Sequence, residues 1–243
     1  MPNSIAIIQA RMGSSRLPGK VMKPLLGHTI LAHDVARIRQ AKRLNGIVIA
    51  TTTEPADDAI AAEAARLGVQ HFRGSETDVL ARYYGAAVAA SADVVVRITS
   101  DCPLYDANLL DEMLQQFDAE LCDYLSNFTP RVYPRGLDTE IFTVAALERA
   151  HAQATQPHER EHVTPYMREH PELFRLRGYA EGADHSQHRW TLDTPEDWAL
   201  IEAIYTRLYP TNPLFSTADI LALLAREPQL VALNAHIEQK KVG

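Results

Sequence analysis

The feature that most narrows the fold is an alternation running through the first half of the chain. Short runs rich in β-branched residues, at Ser4 to Ile8, Gly46 to Thr51, Val69 to Phe72 and Asp93 to Ile98, are separated by longer stretches with Ala-rich periodic faces. Those stretches lie at Ile30 to Ala41, Asp57 to Leu67 and Asp78 to Ala90. Parallel strands need a crossover between them, and helices supplying it cover the sheet, so this rhythm predicts βα units feeding a mainly parallel sheet. Thr77 and Asp106 are placed to cap the helices that follow them, and Thr194-Pro195-Glu196 sets a cap before a proline at the first helical position. From about residue 127 to 180 the rhythm breaks into prolines and clustered histidines, which reads as an insertion or small subdomain. With 243 residues and 46% hydrophobic composition, residues 1–243 are expected to form a single domain. The fold class is α/β, a three-layer Rossmann-like arrangement with a mixed, mainly parallel sheet and a small inserted subdomain.

The charge balance restricts partners. A net charge of −7 argues against general binding to nucleic acid or an anionic membrane, because both require a basic surface that displaces counterions. An anionic substrate would then need a local basic pocket. No stretch reaches the length of apolar sequence needed to span a bilayer, and Met1-Pro2-Asn3-Ser4 carries no basic region ahead of its apolar run, so a cytoplasmic location is expected. Cys102 and Cys122 read as reduced, partly buried thiols.

The first strand runs directly into Gln9-Ala10-Arg11-Met12-Gly13-Ser14-Ser15-Arg16-Leu17-Pro18-Gly19-Lys20. By composition this is a phosphate cradle. Gly13 permits close backbone approach, Ser14 and Ser15 offer donors, and Arg11, Arg16 and Lys20 can neutralise a triphosphate. It matches neither the Walker loop nor the dinucleotide fingerprint, and on chemistry alone a flexible basic surface loop is the competing reading. Beyond it, Asp101 follows the fourth strand and Asp193 follows an expected late strand ending Trp190-Thr191-Leu192, so both can reach one rim of the sheet. Either aspartate could instead cap a turn or helix.

Ala10 to Lys20 resembles the R-x-G-S-x-R-x-P-x-K signature of the cytidylyltransferases that activate acidic sugars. Further matches occur in order at Phe72 to Leu80, Arg97 to Leu104, Tyr133 to Glu140, Glu159 to Tyr166 and Arg189 to Asp197, and the chain resembles the SpsF-like branch of that family most. The resemblance implies a nucleotidyltransferase fold and the transfer of CMP from CTP to an acidic sugar or sugar-like acceptor in polysaccharide synthesis, with release of pyrophosphate. It implies Mg²⁺ held by Asp101 and Asp193, a nucleotide site that includes Ala10, Arg11, Gly13, Ser14, Ser15, Arg16, Lys20 and Thr99, and a homodimer. Arg11, Lys20, Asp101 and Asp193 are the expected catalytic residues. Arg73, Ser75 and Asp78 fall where related enzymes read the base. Arg131, Tyr133, Arg135, Asp138 and Glu140 form a segment able to bind a polyhydroxylated acid, with guanidinium groups for a carboxylate and acidic groups for hydroxyls; an ordinary solvated hairpin accounts for the two arginines equally well.

Three rival readings remain. His158-Glu159-Arg160-Glu161-His162 satisfies the H-E-x-x-H pattern of zinc proteases. Pro157 and Pro165 leave room for only about two helical turns, which favours a polar helix of the insertion, with His162 the better candidate for contact with the acceptor. A glycosyltransferase of similar fold, or a silent nucleotide-binding partner, would share the loop without installing a nucleotide.

Overall fold

The computed structural model describes residues 2–14 and 16–239; Ser15 of the basic loop lies outside the described residues. In chain order the elements are β1 (Ser4–Gln9), a 3-10 turn at Lys20–Met22, the short hairpin β2 (Pro24–Leu25) and β3 (His28–Thr29), α1 (Ile30–Ile38), β4 (Gly46–Thr52), α2 (Asp58–Arg66), β5 (Gln70–Gly74), α3 (Val79–Ala89) and β6 (Val94–Thr99). They continue with α4 (Ala107–Glu120), β7 (Tyr124–Ser126), β8 (Glu140–Thr143), α5 (Val144–Gln153), α6 (Pro157–His162), α7 (Pro165–Glu169), β9 (Leu176–Gly178), α8 (Pro195–Leu208) and α9 (Thr217–Arg226). No helix among the described residues is long and apolar enough to cross a membrane.

The sheet order is β5-β4-β1-β6-β8-β7-β9, and β8 alone runs antiparallel to its neighbours. This is the expected α/β class with a mixed, mainly parallel sheet. Alternation along each strand builds two cores. Ala6, Ile8, Ile49, Val96 and Ile98 face one side under α1, α4, α8 and α9, whereas Ile5, Ile7, Val48 and Val95 face the other under α3, α5 and α7. The stretch from 127 to 180, expected as an insertion, supplies β8 and β9 to the same sheet and α5 to α7 to its second face.

Two local expectations are corrected. Asp78 caps α3, accepting from the Ala81 amide at 2.9 Å; Thr77 does not, because the chain enters the helix one residue later. Trp190 to Leu192 is not a ladder strand. It is an irregular segment held at an isolated bridge between Arg135 and Arg189, where the Trp190 amide donates to the Arg135 carbonyl at 2.6 Å and the Arg135 amide to that of His188 at 3.1 Å. Trp190 is fully buried.

Gly136 makes that junction possible. Its φ is +103°, and a Cβ there would stand 2.5 Å from the Trp190 carbonyl carbon. Backbone on both sides of the contact cannot yield as a flexible side chain could. Gly136→Ala is therefore expected to destabilise the fold by about 3 kcal/mol, from positive-φ strain plus overpacking, and chemical denaturation monitored by circular dichroism will measure it.

Candidate active site

The parallel strands β1 and β6 lie side by side, with Gln9 opposite Thr99. The connection from β1 leads outward to β4 on one side, and β6 returns on the other, so the chain reverses its winding direction between them. In open α/β sheets the crevice beyond the carboxyl ends at such a point is where ligands bind. A cleft of about 540 Å³ occupies it.

Its floor is built around one ammonium. Lys20 Nζ donates to Asp101 Oδ2 at 2.8 Å, to Asp193 Oδ1 at 2.8 Å and to the Leu192 carbonyl at 2.7 Å. All three protons of the amine are therefore engaged. The backbone joins the same groups, since the Leu192 amide donates to the Asp101 carbonyl at 2.8 Å. Asp101 Oδ1 accepts from the Thr99 hydroxyl at 2.6 Å, and Asp193 Oδ2 receives Arg16 at 2.9 Å and Arg189 at 3.1 Å. Asp193 does not act as a cap. Thr194 and Asp197 perform that task in a reciprocal capping box at the start of α8, and Asp197 also holds the buried Arg189.

Burial, the largest influence, would raise the Asp101 pKa, but the charge and hydrogen bond of Lys20 outweigh it and hold the carboxyl below its ordinary value of 3.8. The same aspartates raise Lys20 against its own burial. A depressed carboxylate stabilises the fold above its unfolded pKa and loses that contribution as pH falls through the folded value. Lys20→Met reverses the sign, because Asp101 then stays buried without its cation and its pKa rises. The variant is expected to lose about 3 to 5 kcal/mol at neutral pH, with the deficit shrinking as pH falls and the carboxyl, its pKa now raised by burial, takes up a proton. Urea denaturation between neutral and acidic pH will test both the size and the slope.

The loop after β1 is fixed by a residue that sequence reading missed. Asp57 accepts from the Met12 amide at 2.7 Å and from the Thr52 amide and hydroxyl at 3.3 and 2.5 Å. Ala10, Arg11, Gly13, Ser14, Arg16, Lys20, Thr99, Asp101, Asp193 and His162 all line the cleft. Gln9, Glu76, Thr77, Arg82 and Glu161 join them without having been expected. Arg11 makes only a long, exposed contact with Glu76, at 3.4 Å.

Other expected site residues are placed elsewhere. Arg73 donates to the carbonyls of Thr52 and Glu54 and to Asp58, Ser75 accepts from the Asp78 amide, and Asp78 pairs with Arg160 at 2.6 Å. None of the three lines the cleft. Glu140 is buried in a network with Arg97, Tyr124 and Thr164, which leaves it inside the protein as a link between β6, β7 and the start of α7. Arg131 forms a two-bond pair with Asp138 at 2.5 and 3.0 Å. Tyr133 donates to the Glu181 carbonyl and stacks on Tyr179, and Arg135 lines a separate cavity of about 120 Å³ beside Arg189 and Gln239. The two histidines of the H-E-x-x-H run also diverge. His158 faces Glu169 at 3.1 Å, whereas His162 lines the cleft; among the described residues, the one group of three or more metal-capable side chains is His158, Glu159 and Glu169, without His162.

A phosphate-sized cationic loop beside paired carboxylates at a topological switch point defines a nucleotide-handling α/β enzyme. The chain belongs to the cytidylyltransferase family, whose sequence model matches residues 5–218. It is 36% identical over 236 residues to the spore coat polysaccharide biosynthesis protein SpsF of Bacillus subtilis, covering 94% of this chain and 96% of that one. It is 39% identical over 241 residues to an uncharacterized protein of Methanocaldococcus jannaschii, covering 97% and 96%. A solved cytidylyltransferase from Leptospira borgpetersenii superposes with a TM-score of 0.91 at 34% identity, over 99% of this chain and 100% of that one. The SpsF-like branch indicated by the motifs is thus borne out, and the enzyme is a CTP-dependent nucleotidyltransferase.

Proposed function

We propose that this enzyme transfers CMP from CTP, with Mg²⁺, to a hydroxyl of a sugar or sugar-acid acceptor in the synthesis of a surface polysaccharide, releasing pyrophosphate. The observation that carries the reading is the convergence of Lys20, Asp101 and Asp193 on one point of a cleft whose rim holds Arg11 and Arg16. SpsF, whose printed role is spore coat polysaccharide biosynthesis, supports the pathway class.

The donor set fits the metal. Both carboxylates already share one cation and present hard oxygens with lone pairs in excess of their present bonds, which is the chemistry a small dication requires. Asp101 and Asp193 are the residues that would hold Mg²⁺; when bound, it neutralises phosphate charge and orients the nucleophile and the leaving group. The chain supplies the rest. Arg11, Arg16 and the amides around Gly13 and Ser14 hold the triphosphate tail, and Lys20 lies beneath them to offset charge that develops at the α-phosphorus. His162 and Glu161 line the same cleft and give it polar contacts for a hydroxylated acceptor. Burial lowers the His162 pKa, so its imidazole is mainly neutral at pH 7 and can accept a hydrogen bond from a hydroxyl.

Asp101→Asn is expected to reduce transfer on the order of 10³-fold while the fold is retained. The assay is pyrophosphate release from CTP with a panel of acidic sugars and neutral sugars, run across a magnesium titration. Equal magnesium dependence of parent and variant would remove the metal role; no release with any member of the panel would count against the proposed acceptor class. A second comparison uses the melting temperature of Lys20→Met with and without magnesium. The dication should recover part of the lost stability, because it replaces the missing charge between the two carboxylates.

A further inference from the structure

A second cavity, of about 120 Å³, shares no lining residue with the cleft. Its walls are the Arg135–Arg189 bridge with the residues just before Arg189, one residue each from α8 and α9, and the segment that follows α9. Arg189 separates the two spaces: its Nη2 donates to Asp193 at 3.1 Å and its Nη1 to Gln239 Oε1 at 2.6 Å. Among the described residues no aspartate or glutamate lines this cavity, although acidic residues outnumber lysines and arginines in the chain by 31 to 24.

The charges around it leave one cation unanswered. Arg189 is met by Asp193 and Asp197. Asp138, whose charge reaches Arg135, is already held by two bonds from Arg131. Burial, with His185 beside it, keeps the His188 pKa below its ordinary value of 6.5, so that ring stays neutral at pH 7. Arg135 remains. Among the described residues no hydrogen bond or ion pair engages its guanidinium, and burial together with the charges of Arg131 and Arg189 pushes its pKa down. A partly buried cation set among other cations is unfavourable until an anion joins it.

The rest of the wall indicates the class of anion. Leu200, Leu224, Val231 and Ile237 form an apolar side, which suits hydrocarbon and opposes an ion with polar oxygens all round, such as phosphate. A carboxylate on a short alkyl chain carries one charge, with two acceptor oxygens at one end to match a guanidinium fork and an apolar body at the other. The space equals about four water molecules at liquid density, close to the bulk of a short-chain acid. A sugar acid exceeds it, which separates this cavity from any acceptor site.

We infer that the cavity is a binding site for a small monocarboxylate, with Arg135 pairing to the carboxylate and Leu200, Leu224 and Val231 covering its alkyl body. The site is independent of the CTP reading above, because cleft and cavity have no lining residue in common.

The test is calorimetric titration of the full-length protein at low ionic strength with sodium propionate, propionamide and inorganic phosphate. Propionate should bind with a dissociation constant in the low millimolar range, and propionamide, similar in shape but uncharged, at least about tenfold more weakly. Arg135→Gln should weaken propionate at least about tenfold. That side chain gives up no bond within the described protein, so the melting temperature should stay within about 2 °C of the parent. Arg135→Lys keeps the charge but loses the fork, and its affinity should fall between the two. Absence of propionate binding, tighter binding of phosphate than of propionate, or an affinity unchanged in Arg135→Gln overturns the assignment. So does a loss that appears in Arg11→Gln instead of Arg135→Gln, which would put the carboxylate in the cleft.

Discussion

The site depends on the shared ammonium of Lys20. Two carboxylates brought together in a partly dry cleft repel each other, and without a cation between them one would take up a proton or the segments would move apart. Lys20 supplies that cation, with three hydrogen bonds of 2.7 to 2.8 Å. It therefore does two things with one charge. It keeps Asp101 ionised and close to Asp193, the arrangement the proposed dication would need, and it stands on the floor of the cleft where the proposed triphosphate would lie.

The surrounding structure keeps that arrangement rigid. Asp101 follows β6 at a point fixed by pairing with β1, and Asp193 is fastened to it through backbone rather than side chain, by the Leu192 amide on the Asp101 carbonyl. The bridge beside Gly136 then secures the approach to Asp193 from the other side. Behind it, Arg189 links Asp193 to Asp197, so the cap of α8 and the site share one guanidinium. Preorganisation of this kind is what electrostatic catalysis requires, because the polar groups need not reorient as charge moves.

How much of this the sequence revealed follows from how local each signal is. β1, β4, β5 and β6 and the helices between them were legible because burial on both sides of a strand and the periodic face of a helix are written in adjacent residues. The loop from Ala10 to Lys20 was legible by composition and Asp101 by its place after β6, whereas Asp193 was put at the same rim from a strand that does not form. Trp190 to Leu192 misled because an apolar aromatic run reads as a strand, whereas its burial comes from packing in an irregular segment. Glu140 and Asp138 were expected to meet the hydroxyls of an acceptor, and only the fold reveals that their partners are Arg97 and Arg131. Arg82 did leave a trace. It lies between Val79 and Ala86 on the apolar stripe of α3, where a charged residue needs a reason to be. Asp57 left none, since its partners Met12 and Thr52 meet it only after the sheet has formed.

The hydrogen bond from Lys20 to Asp193 spans 173 positions of sequence. During synthesis the cationic loop and Asp101 leave the ribosome long before the second carboxylate, so the growing polypeptide passes through a stage in which the cradle exists with half of its acid pair. Closing so wide a circuit is entropically slow relative to local helix formation. The site is thus finished late, with the docking of the segment before α8, and a nascent chain cannot assemble the complete constellation until Asp193 has been made.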